Sequence, residues 1–198
     1  MVVIVKSRRE EYAETTRAAI VAAAVARFTA QGFTRTSMDS IAEAARVTKG
    51  AVYHHFRDKA ELFEAVFTLM EQRLLDKVTT GVAGMSDPWA LMAKGIDLFL
   101  DECGEADFRR IALEEAPAAL GWARWKETEE RYFLGLVAGA LAGLAEAGLV
   151  TIPPGDLTAR MLLAATSEAG LAVASSAHPE EERVRVGALV MRLLEGLR

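Results

Sequence analysis

The sequence lacks the features that brace small secreted proteins or anchor membrane proteins. Its single cysteine, Cys103, excludes an internal disulfide framework and a cysteine-rich metal site, as expected for a reducing compartment. The longest uncharged apolar run, residues 132–145, is well short of the roughly 20 residues that span a bilayer. The opening residues 1–6 are too short for the apolar part of a signal peptide. These absences predict a cytoplasmic protein without a membrane partner.

Strand signals are also nearly absent. β-Branched residues are scattered, two-residue alternation never lasts, and alanine, leucine, glutamate and arginine recur at helical spacing. The sequence therefore predicts an all-α protein of about nine helices, separated by glycine and proline. The predicted helices cover residues 10–31, a short stretch after residue 37, 49–56, a stretch from residue 59, 89–103, 107–115, 121–147, 156–177 and 180–197.

Positive charge is scarce in the chain as a whole but not at its start. The formal net charge of −5 argues, taken alone, against a nucleic-acid partner. Residues 1–60, however, carry ten Lys and Arg against six Asp and Glu, whereas the remainder carries thirteen against twenty-two. This asymmetry predicts a polyanion-binding domain of residues 1–60 and a second domain of residues 61–198. Lys6, Arg8 and Arg9 form a basic arm whose contact with DNA the sequence leaves open.

Two short helices joined by a tight break are predicted between residues 36 and 56. The first is capped by Thr36 or by Ser37, with Asp39 placed to complete a capping box from Thr36. Thr48 is placed to cap the second helix. In this arrangement the second helix can enter a major groove of DNA while the first braces it against the backbone.

The outward residues of the second helix suit a phosphate-rich surface. Lys49 offers a positive donor, and Gly50 permits close approach of the backbone to a base or a phosphate. The Tyr53 hydroxyl and the His54 imidazole can donate hydrogen bonds to phosphate oxygens. The segment therefore predicts a helix-turn-helix that binds double-stranded DNA.

Each of these side chains also has a plainer interpretation. Tyr53 and His55 can be packing residues with satisfied polar tips, and Lys49 and Lys59 can be solvated lysines. The neighbouring His54 and His55 invite a metal site, but adjacent helical residues point about 100° apart and no third ligand lies nearby. No metal is expected.

The stretch GFTRTSMDSIAEAARVTKGAVYHHFRDKAELFEAV resembles the DNA-binding head of the TetR family of bacterial regulators, over roughly residues 12–67. The resemblance implies a three-helix helix-turn-helix head on a larger helical body for ligand binding and dimerisation. It also implies DNA contacts by Thr36, Thr48, Lys49, Gly50, Tyr53, His54, His55 and Lys59. Arg46 departs from the family, which usually has glycine in this turn. It either bears a strain of about 1 kcal/mol at positive φ or adds a phosphate contact.

The body is rich in aromatic residues and methionine. A plain core explains them, but such a body is also where an apolar effector would be enclosed between helices. The resemblance implies a pocket of this kind, and its expected lining is Trp89, Met92, Phe99, Phe108, Trp122, Trp125, Phe133 and Met161. Arg110, Glu114, Glu115 and Arg124 are either ligand contacts or, as we favour, a solvated face.

The last two helices carry small residues and an apolar stripe that allow close helix packing. They either close the core of the monomer or, as the resemblance implies, form a four-helix seam with a second copy. The expected dimer residues are Ala165, Glu168, Val186, Val190, Leu193 and Leu197.

Together with the resemblance, the sequence predicts a homodimeric repressor that binds a palindromic operator and is released by an unidentified small-molecule effector. The alternative is a regulator without an effector response, or an activator, whose body serves only dimerisation. An enzyme using Glu114, Glu115 or His178 is disfavoured, because no nucleophile, base and orienting group occur at meaningful spacing. No cofactor is expected.

Overall fold

The computed structural model describes residues 8–198, apart from the side chains of residues 9 and 10. Of the predicted basic arm, Lys6 and the Arg9 side chain lie outside the described residues, and Arg8 is exposed at the start of a helix. Regular structure in the described range consists of α1 (Arg8–Arg35), α2 (Met38–Ala44), α3 (Lys49–His55), α4 (Lys59–Gly81), α5 (Pro88–Gly104), α6 (Ala106–Phe108), the π-helical segment π1 (Arg109–Glu115), α7 (Ala116–Leu120), α8 (Trp122–Glu146), α9 (Leu157–Ser175) and α10 (Pro179–Glu195).

The stretch from α6 to α7 is one helical run with a widened middle. Pro117 lies just after π1, and its missing N–H leaves a carbonyl of π1 without an α-helical partner. Counted as one helix, this run gives nine helices in residues 8–198, so the prediction of an all-α fold is confirmed. None of these described helices is long and apolar enough to cross a membrane.

The head, which we define as α1–α3, is built around residues that its helices bury together. Phe28, Ile41 and Val52, one from each helix, have no exposed surface and belong to the same core. Gly32 interrupts the helical backbone of α1 with a φ of 77°, at the place where the sequence predicts the end of the first helix.

The start of α2 decides between the two predicted caps. Ser37 is the N-cap: its hydroxyl accepts from the Ser40 amide at 3.1 Å, and the Ser40 hydroxyl accepts from the Ser37 amide. The predicted capping box between Thr36 and Asp39 is therefore wrong. It is displaced by one residue, because Ser37 has the extended backbone that an N-cap needs.

Helix α4 joins the head to the body, which we define as α5–α10. Near its start, the Phe63 ring packs edge-on against Phe28 and Phe33, with centroids 5.0 Å and 5.1 Å apart. Its later turns bury Leu74 and Val78 against the body, so one hydrophobic core continues from head to body.

Helix α9 packs against α5, α8 and α10. Val186, Val190 and Leu194, spaced four residues apart, bury the inner stripe of α10. Arg183 pairs with Asp97 and Asp101 on α5 and fixes the start of α10. The opposite faces of α9 and α10 remain on the surface of the protomer.

Candidate DNA-binding head, ligand cavity and dimer face

Helix α3 presents one continuous exposed face. Thr48 caps the helix by accepting from the Ala51 amide at 3.1 Å, which matches the predicted cap. Fully buried Val52 anchors the helix to the head. The outward residues of α3 and its cap are exposed: Thr48, Lys49, Gly50, Tyr53 and His54. A helix that is capped and anchored to the head in this way can enter a groove of DNA as a rigid unit.

Lys49 holds its charge on the exposed face. Its ammonium pairs with Asp39 of α2 at 2.9 Å and lies 5.9 Å from the centroid of the Tyr53 ring. The hydrogen bond and the charge of Asp39 raise the pKa of Lys49 above its usual range. Exposed ion pairs contribute little stability, so a phosphate can replace Asp39 as the partner at small cost.

The two histidines of α3 differ in exposure. His54 is exposed, whereas His55 is half-buried. Burial, followed by the charges of His54 and Arg17, lowers the pKa of His55 below its usual value, so His55 is mostly neutral near pH 7. Within residues 8–198 no group of His, Cys, Asp or Glu side chains is arranged to hold a metal ion.

Thr36 and Lys59 donate to backbone groups around the end of α1. Thr36 is 2% exposed, and its hydroxyl donates to the Gly32 carbonyl at 2.8 Å. The Lys59 ammonium donates to the carbonyls of Phe33 (2.7 Å), Thr34 (3.3 Å) and Thr36 (2.9 Å). Because Thr36 is buried, direct DNA contact by its side chain is a wrong prediction, whereas DNA contact by the partly exposed Lys59 stays a prediction. Both satisfy backbone groups around the end of α1, which would otherwise lack partners.

Arg46 has the positive φ that the sequence left open, with a value of 56°. The Val47 amide donates to the Ala42 carbonyl at 3.0 Å, and the Arg46 amide donates to Glu43 at 3.1 Å. This pair of hydrogen bonds is a Schellman motif, which ends α2 and requires a left-handed residue at position 46. Arg46 therefore bears the strain that glycine avoids, and its exposed side chain also lies on the surface of the turn.

The body encloses a cavity of about 100 Å³ between α4, α5, the α6–α7 run, α8 and α9. Five of the eight predicted residues line it: Met92, Phe99, Phe108, Trp125 and Phe133. Trp125 donates its indole N–H to the Ala112 carbonyl at 3.2 Å, so only its ring faces the cavity. The wall is otherwise mostly aliphatic.

Three predicted pocket residues do not line this cavity. Trp89 lies beneath the guanidinium of Arg198, 4.8 Å from its ring centroid. Trp122 is 64% exposed at the first turn of α8, and Met161 is 65% exposed on the outer side of α9. A large apolar side chain can lie on either face of a helix, and composition alone does not show which face points inward.

The cavity also has polar residues that were not predicted from the sequence. Glu71 of α4, Glu129 of α8 and Ser167 of α9 are buried and line the cavity. Burial, and secondarily the charge of Glu129, raises the pKa of Glu71 to about 8. The spacing contained a signal, because Glu71 stands four residues after Phe67 and three before Leu74, within the inward stripe of α4.

One side of π1 faces the cavity with Ala112 and Leu113, and another side holds the head. The Glu115 carboxylate accepts from the Phe33 amide just after the Gly32 break. Arg110 pairs with Glu115 at 2.9 Å.

Arg110, Glu114 and Glu115 do not line the cavity, and exposed Glu114 and partly exposed Arg110 agree with the solvated face that the sequence favours. Arg110 also pairs with Glu114 at 2.9 Å, so the three charged side chains form one cluster on π1. Arg124 likewise pairs with Glu64 of α4, at 2.8 Å. The Arg124–Glu64 ion pair connects α8 to α4, and the hydrogen bond from the Phe33 amide to Glu115 connects π1 to α1.

The expected dimer residues divide between the core and the surface. Val186 and Val190 are buried inside the protomer, so their assignment to a dimer seam is wrong. Ala165 and Leu197 are half-buried, and Glu168 is exposed. Four exposed apolar residues of these helices define what we call the outer face of α9 and α10: Leu157, Met161, Leu189 and Leu193. Of this face, the sequence predicted only Leu193. Val184 is also exposed but lies about 140° around α10 from Leu189.

Comparison with known proteins agrees with this architecture. A family model described as bacterial regulatory proteins of the tetR family matches residues 20–66. A second model, described as the tetracyclin repressor-like C-terminal domain, matches residues 89–197, which is more than half of the chain. The two matches cover the head and the body in the order seen here.

Three similar proteins illustrate the range of the match. A solved TetR-family transcriptional regulator from Pectobacterium atrosepticum is 26% identical, with 97% of each chain covered and a TM-score of 0.83. The HTH-type transcriptional regulator AcrR of Shigella flexneri is 40% identical over 108 residues, which are 54% of this chain and half of AcrR. FadR from Bacillus subtilis, solved in complex with stearoyl-CoA, is 17% identical and shares the fold, with a TM-score of 0.72 over 91% of this chain and 98% of that one. With its helix-turn-helix head and its helical body, the chain belongs to the TetR family and is a DNA-binding transcriptional regulator.

Proposed function

We propose that this regulator is a homodimeric repressor that binds a palindromic operator and leaves it when a small-molecule effector occupies the body cavity. The observation that carries the proposal is the position of π1. Ala112 and Leu113 of π1 form part of the cavity wall, while Glu115 of the same segment is hydrogen-bonded to Phe33 in α1. A ligand that moves this wall acts on a segment bonded to the head.

The proposed roles of the two domains follow the distribution of charge. Residues 1–60, with the excess of Lys and Arg, contact DNA, and residues 61–198 bind the effector and a second protomer. The two parts share one hydrophobic core through α4, so they move as coupled pieces. The outer face of α9 and α10 packs against the same face of the second protomer, since a twofold interface uses the same surface on both copies.

In the complex with DNA, α3 of each protomer lies in a major groove. Its exposed donors contact phosphates or base edges, and the two helices reach grooves about 34 Å apart. The residues in direct contact are Thr48, Lys49, Gly50, Tyr53, His54 and the exposed edge of His55. Thr36 and Lys59 support this surface through the backbone of the head, and the partly exposed Lys59 stays a predicted contact.

The small volume of the cavity implies that its walls move when an effector binds. Its volume of about 100 Å³ is below the roughly 300–1,000 Å³ of common ligand pockets. A ligand therefore favours a state with wider walls, by as much as its affinity for the two states differs. The proposal is also in keeping with FadR from Bacillus subtilis, a protein of the same fold that is solved with stearoyl-CoA.

A gel-shift titration against the upstream region of its own gene tests the DNA-binding part. We expect a sequence-preferring complex that contains one dimer per site. Lys49→Ala and Tyr53→Phe should weaken it, whereas Lys94→Ala, which removes an exposed lysine of the body, should not. Equal binding to scrambled DNA by the folded protein would contradict the proposal.

A thermal-shift screen with apolar compounds tests the effector part. Compounds that raise the melting temperature should also weaken operator binding. Glu115→Gln should keep ligand binding but reduce release, because it weakens the bond from π1 to Phe33. If compounds stabilise the protein and none affects operator binding, the body serves dimerisation without an effector response.

A further inference from the structure

The cavity contains a carboxyl group that the fold does not use. Glu71 projects from α4 into the cavity and is 5% exposed. Among residues 8–198 its carboxyl has no hydrogen-bond or ion-pair partner. A buried polar group without a partner lowers stability, and it requires an explanation outside the packing of the core. A ligand that donates to Glu71 would provide one.

A second carboxyl group lies at the same cavity. Glu129 of α8 lines the same cavity and is held by Lys126 at 2.5 Å and by the Ser167 hydroxyl. The charge of Glu129 contributes to the raised pKa of Glu71. A cation bound between the two carboxyl groups would lower this repulsion, and an anion would increase it.

The remaining walls suit the hydrocarbon part of such a cation. Phe99, Phe108, Trp125 and Phe133 line the cavity with aromatic rings. The indole N–H of Trp125 is already occupied by the Ala112 carbonyl, so its ring is what remains available to a ligand. Aromatic faces attract cations and also bury apolar surface.

From the meeting of Glu71, Glu129 and this aromatic wall, we propose that the effector is a compact apolar compound carrying one protonated amine. The ammonium group donates to Glu71, and the hydrocarbon body lies against the aromatic wall. This inference rests on the proposed role of the cavity as the effector site. A neutral alcohol can donate to Glu71 but gains no attraction between opposite charges, and a carboxylate places a further acidic group beside Glu71 and Glu129.

Binding of the amine releases a proton. Because the pKa of Glu71 is raised to about 8, its carboxyl is mostly protonated in the empty cavity at pH 7. The bound ammonium requires the carboxylate form, so the Glu71 proton leaves to solvent as the amine enters. Of the other acidic groups near Glu71, Glu129 is held by Lys126, and burial raises the pKa of the Cys103 thiol, which keeps its proton. Below pH 8, affinity for the amine should therefore increase as the pH rises, by up to about tenfold per pH unit.

Calorimetry with three compounds that share one carbon skeleton and differ in their polar group tests the inference. The probes are 2-phenylethylamine, 2-phenylethanol and phenylacetate, titrated into the full-length protein at pH 7 in two buffers of different ionisation enthalpy. We expect the amine to bind at least about tenfold more tightly than the alcohol, with release of about one proton, and phenylacetate not to bind.

Two variants locate the effect. Glu71→Gln keeps the shape of the side chain but removes the charge, so the preference for the amine and the proton release should both disappear. Glu146→Gln makes the same change at an exposed site at the end of α8 and should behave as the wild-type protein does. The comparison of probes in the wild-type protein decides the question even if Glu71→Gln folds poorly.

The outcomes separate this inference from the proposed function. Binding of the alcohol or of phenylacetate as tightly as the amine overturns the amine assignment and leaves the cavity as a ligand site. The same holds if none of the three probes binds while a neutral apolar compound from the thermal-shift screen does. If neither set contains a ligand, the proposed effector site fails as well.

Discussion

At the scale of single residues, two lysines that look equivalent in the sequence have different partners. Lys49 is paired with an exposed carboxylate, whereas Lys59 donates to three backbone carbonyls at the end of α1. Hydrogen bonds to a charged donor in such a place contribute more stability than an exposed ion pair does. One lysine is therefore available to DNA, and the other maintains the shape of the head.

Substitution of these lysines should separate binding from stability. Lys59→Met should lower the free energy of unfolding by about 2 kcal/mol, because three carbonyls lose their donor. Lys49→Ala should unfold as the wild-type protein does but bind the operator more weakly, with a flatter salt dependence. Urea unfolding and salt-dependent binding measure the two effects. An unstable Lys49→Ala variant would contradict the assignment.

Arg46 offers a second test at this scale. Because its φ is 56° in the Schellman motif, Arg46→Gly should raise stability by up to about 1 kcal/mol, the strain relief being partly offset by the entropy of glycine. Arg46→Asn, which tolerates the left-handed region, serves as the control. A loss of stability in the glycine variant would show that the arginine side chain contributes more than its backbone costs. Weaker operator binding by both variants would identify a phosphate contact.

Glu71 predicts how stability depends on pH. Its pKa in the folded state, about 8, lies above the ordinary value near 4.5 of the unfolded chain. Below pH 4.5 the carboxyl is neutral in both the folded and the unfolded state, so its burial adds no cost of losing a charge. As the pH rises from there through the folded pKa, ionisation favours the unfolded state and the free energy of unfolding falls. The advantage of Glu71→Gln over the wild type should therefore grow from pH 5 to pH 8, by at most about 1.4 kcal/mol per pH unit. Urea unfolding across this range measures it, and a constant difference would contradict the burial of an unpaired carboxyl.

At the scale of helices, periodicity and punctuation were sufficient to place the elements. Gly32 ends the regular helix of α1, and Thr48 caps α3, both as predicted, because each acts through local backbone geometry. The π1 segment was not predicted, because a change from α to π pairing depends on packing rather than on local propensity.

The direction in which a helix faces was harder to predict. The stripe of Val186, Val190 and Leu194 packs inward, whereas Leu189 and Leu193 of the same helix face outward. Both stripes have apolar residues at helical spacing, so the sequence pattern does not rank them. For the same reason, Trp122 and Met161 were wrongly predicted to line the pocket. Glu71 was not predicted, because it lies in a stripe of α4 with the pattern of an ordinary core.

Substitutions on the two faces of α10 should have different effects. Leu189→Lys together with Leu193→Lys should leave the folded protomer intact but prevent dimerisation, because both side chains lie on the outer face. Val190→Ala should lower stability by about 2 kcal/mol through the lost burial of two methyl groups, without preventing dimerisation. Light scattering and thermal unfolding distinguish these results. A dimeric double-lysine variant would place the interface elsewhere.

At the scale of the whole molecule, charge and symmetry must act together. The head carries a modest positive charge and the body a larger negative one, so a single head has limited attraction for DNA. In the proposed dimer, two heads joined by their bodies bind as one unit, and the gain depends on their spacing matching the operator. A ligand that alters this spacing lowers affinity without touching the DNA-binding residues.

The central claim is that a ligand in the body cavity weakens operator binding, and one measurement tests it directly. Fluorescence anisotropy of a labelled operator is followed with and without a stabilising compound, for the wild type and for Ala140→Phe, which projects a ring into the cavity. The account predicts that the compound lowers operator affinity at least about fivefold in the wild type and leaves the variant unchanged. Equal release of the wild type and of a folded, DNA-binding Ala140→Phe variant would contradict it.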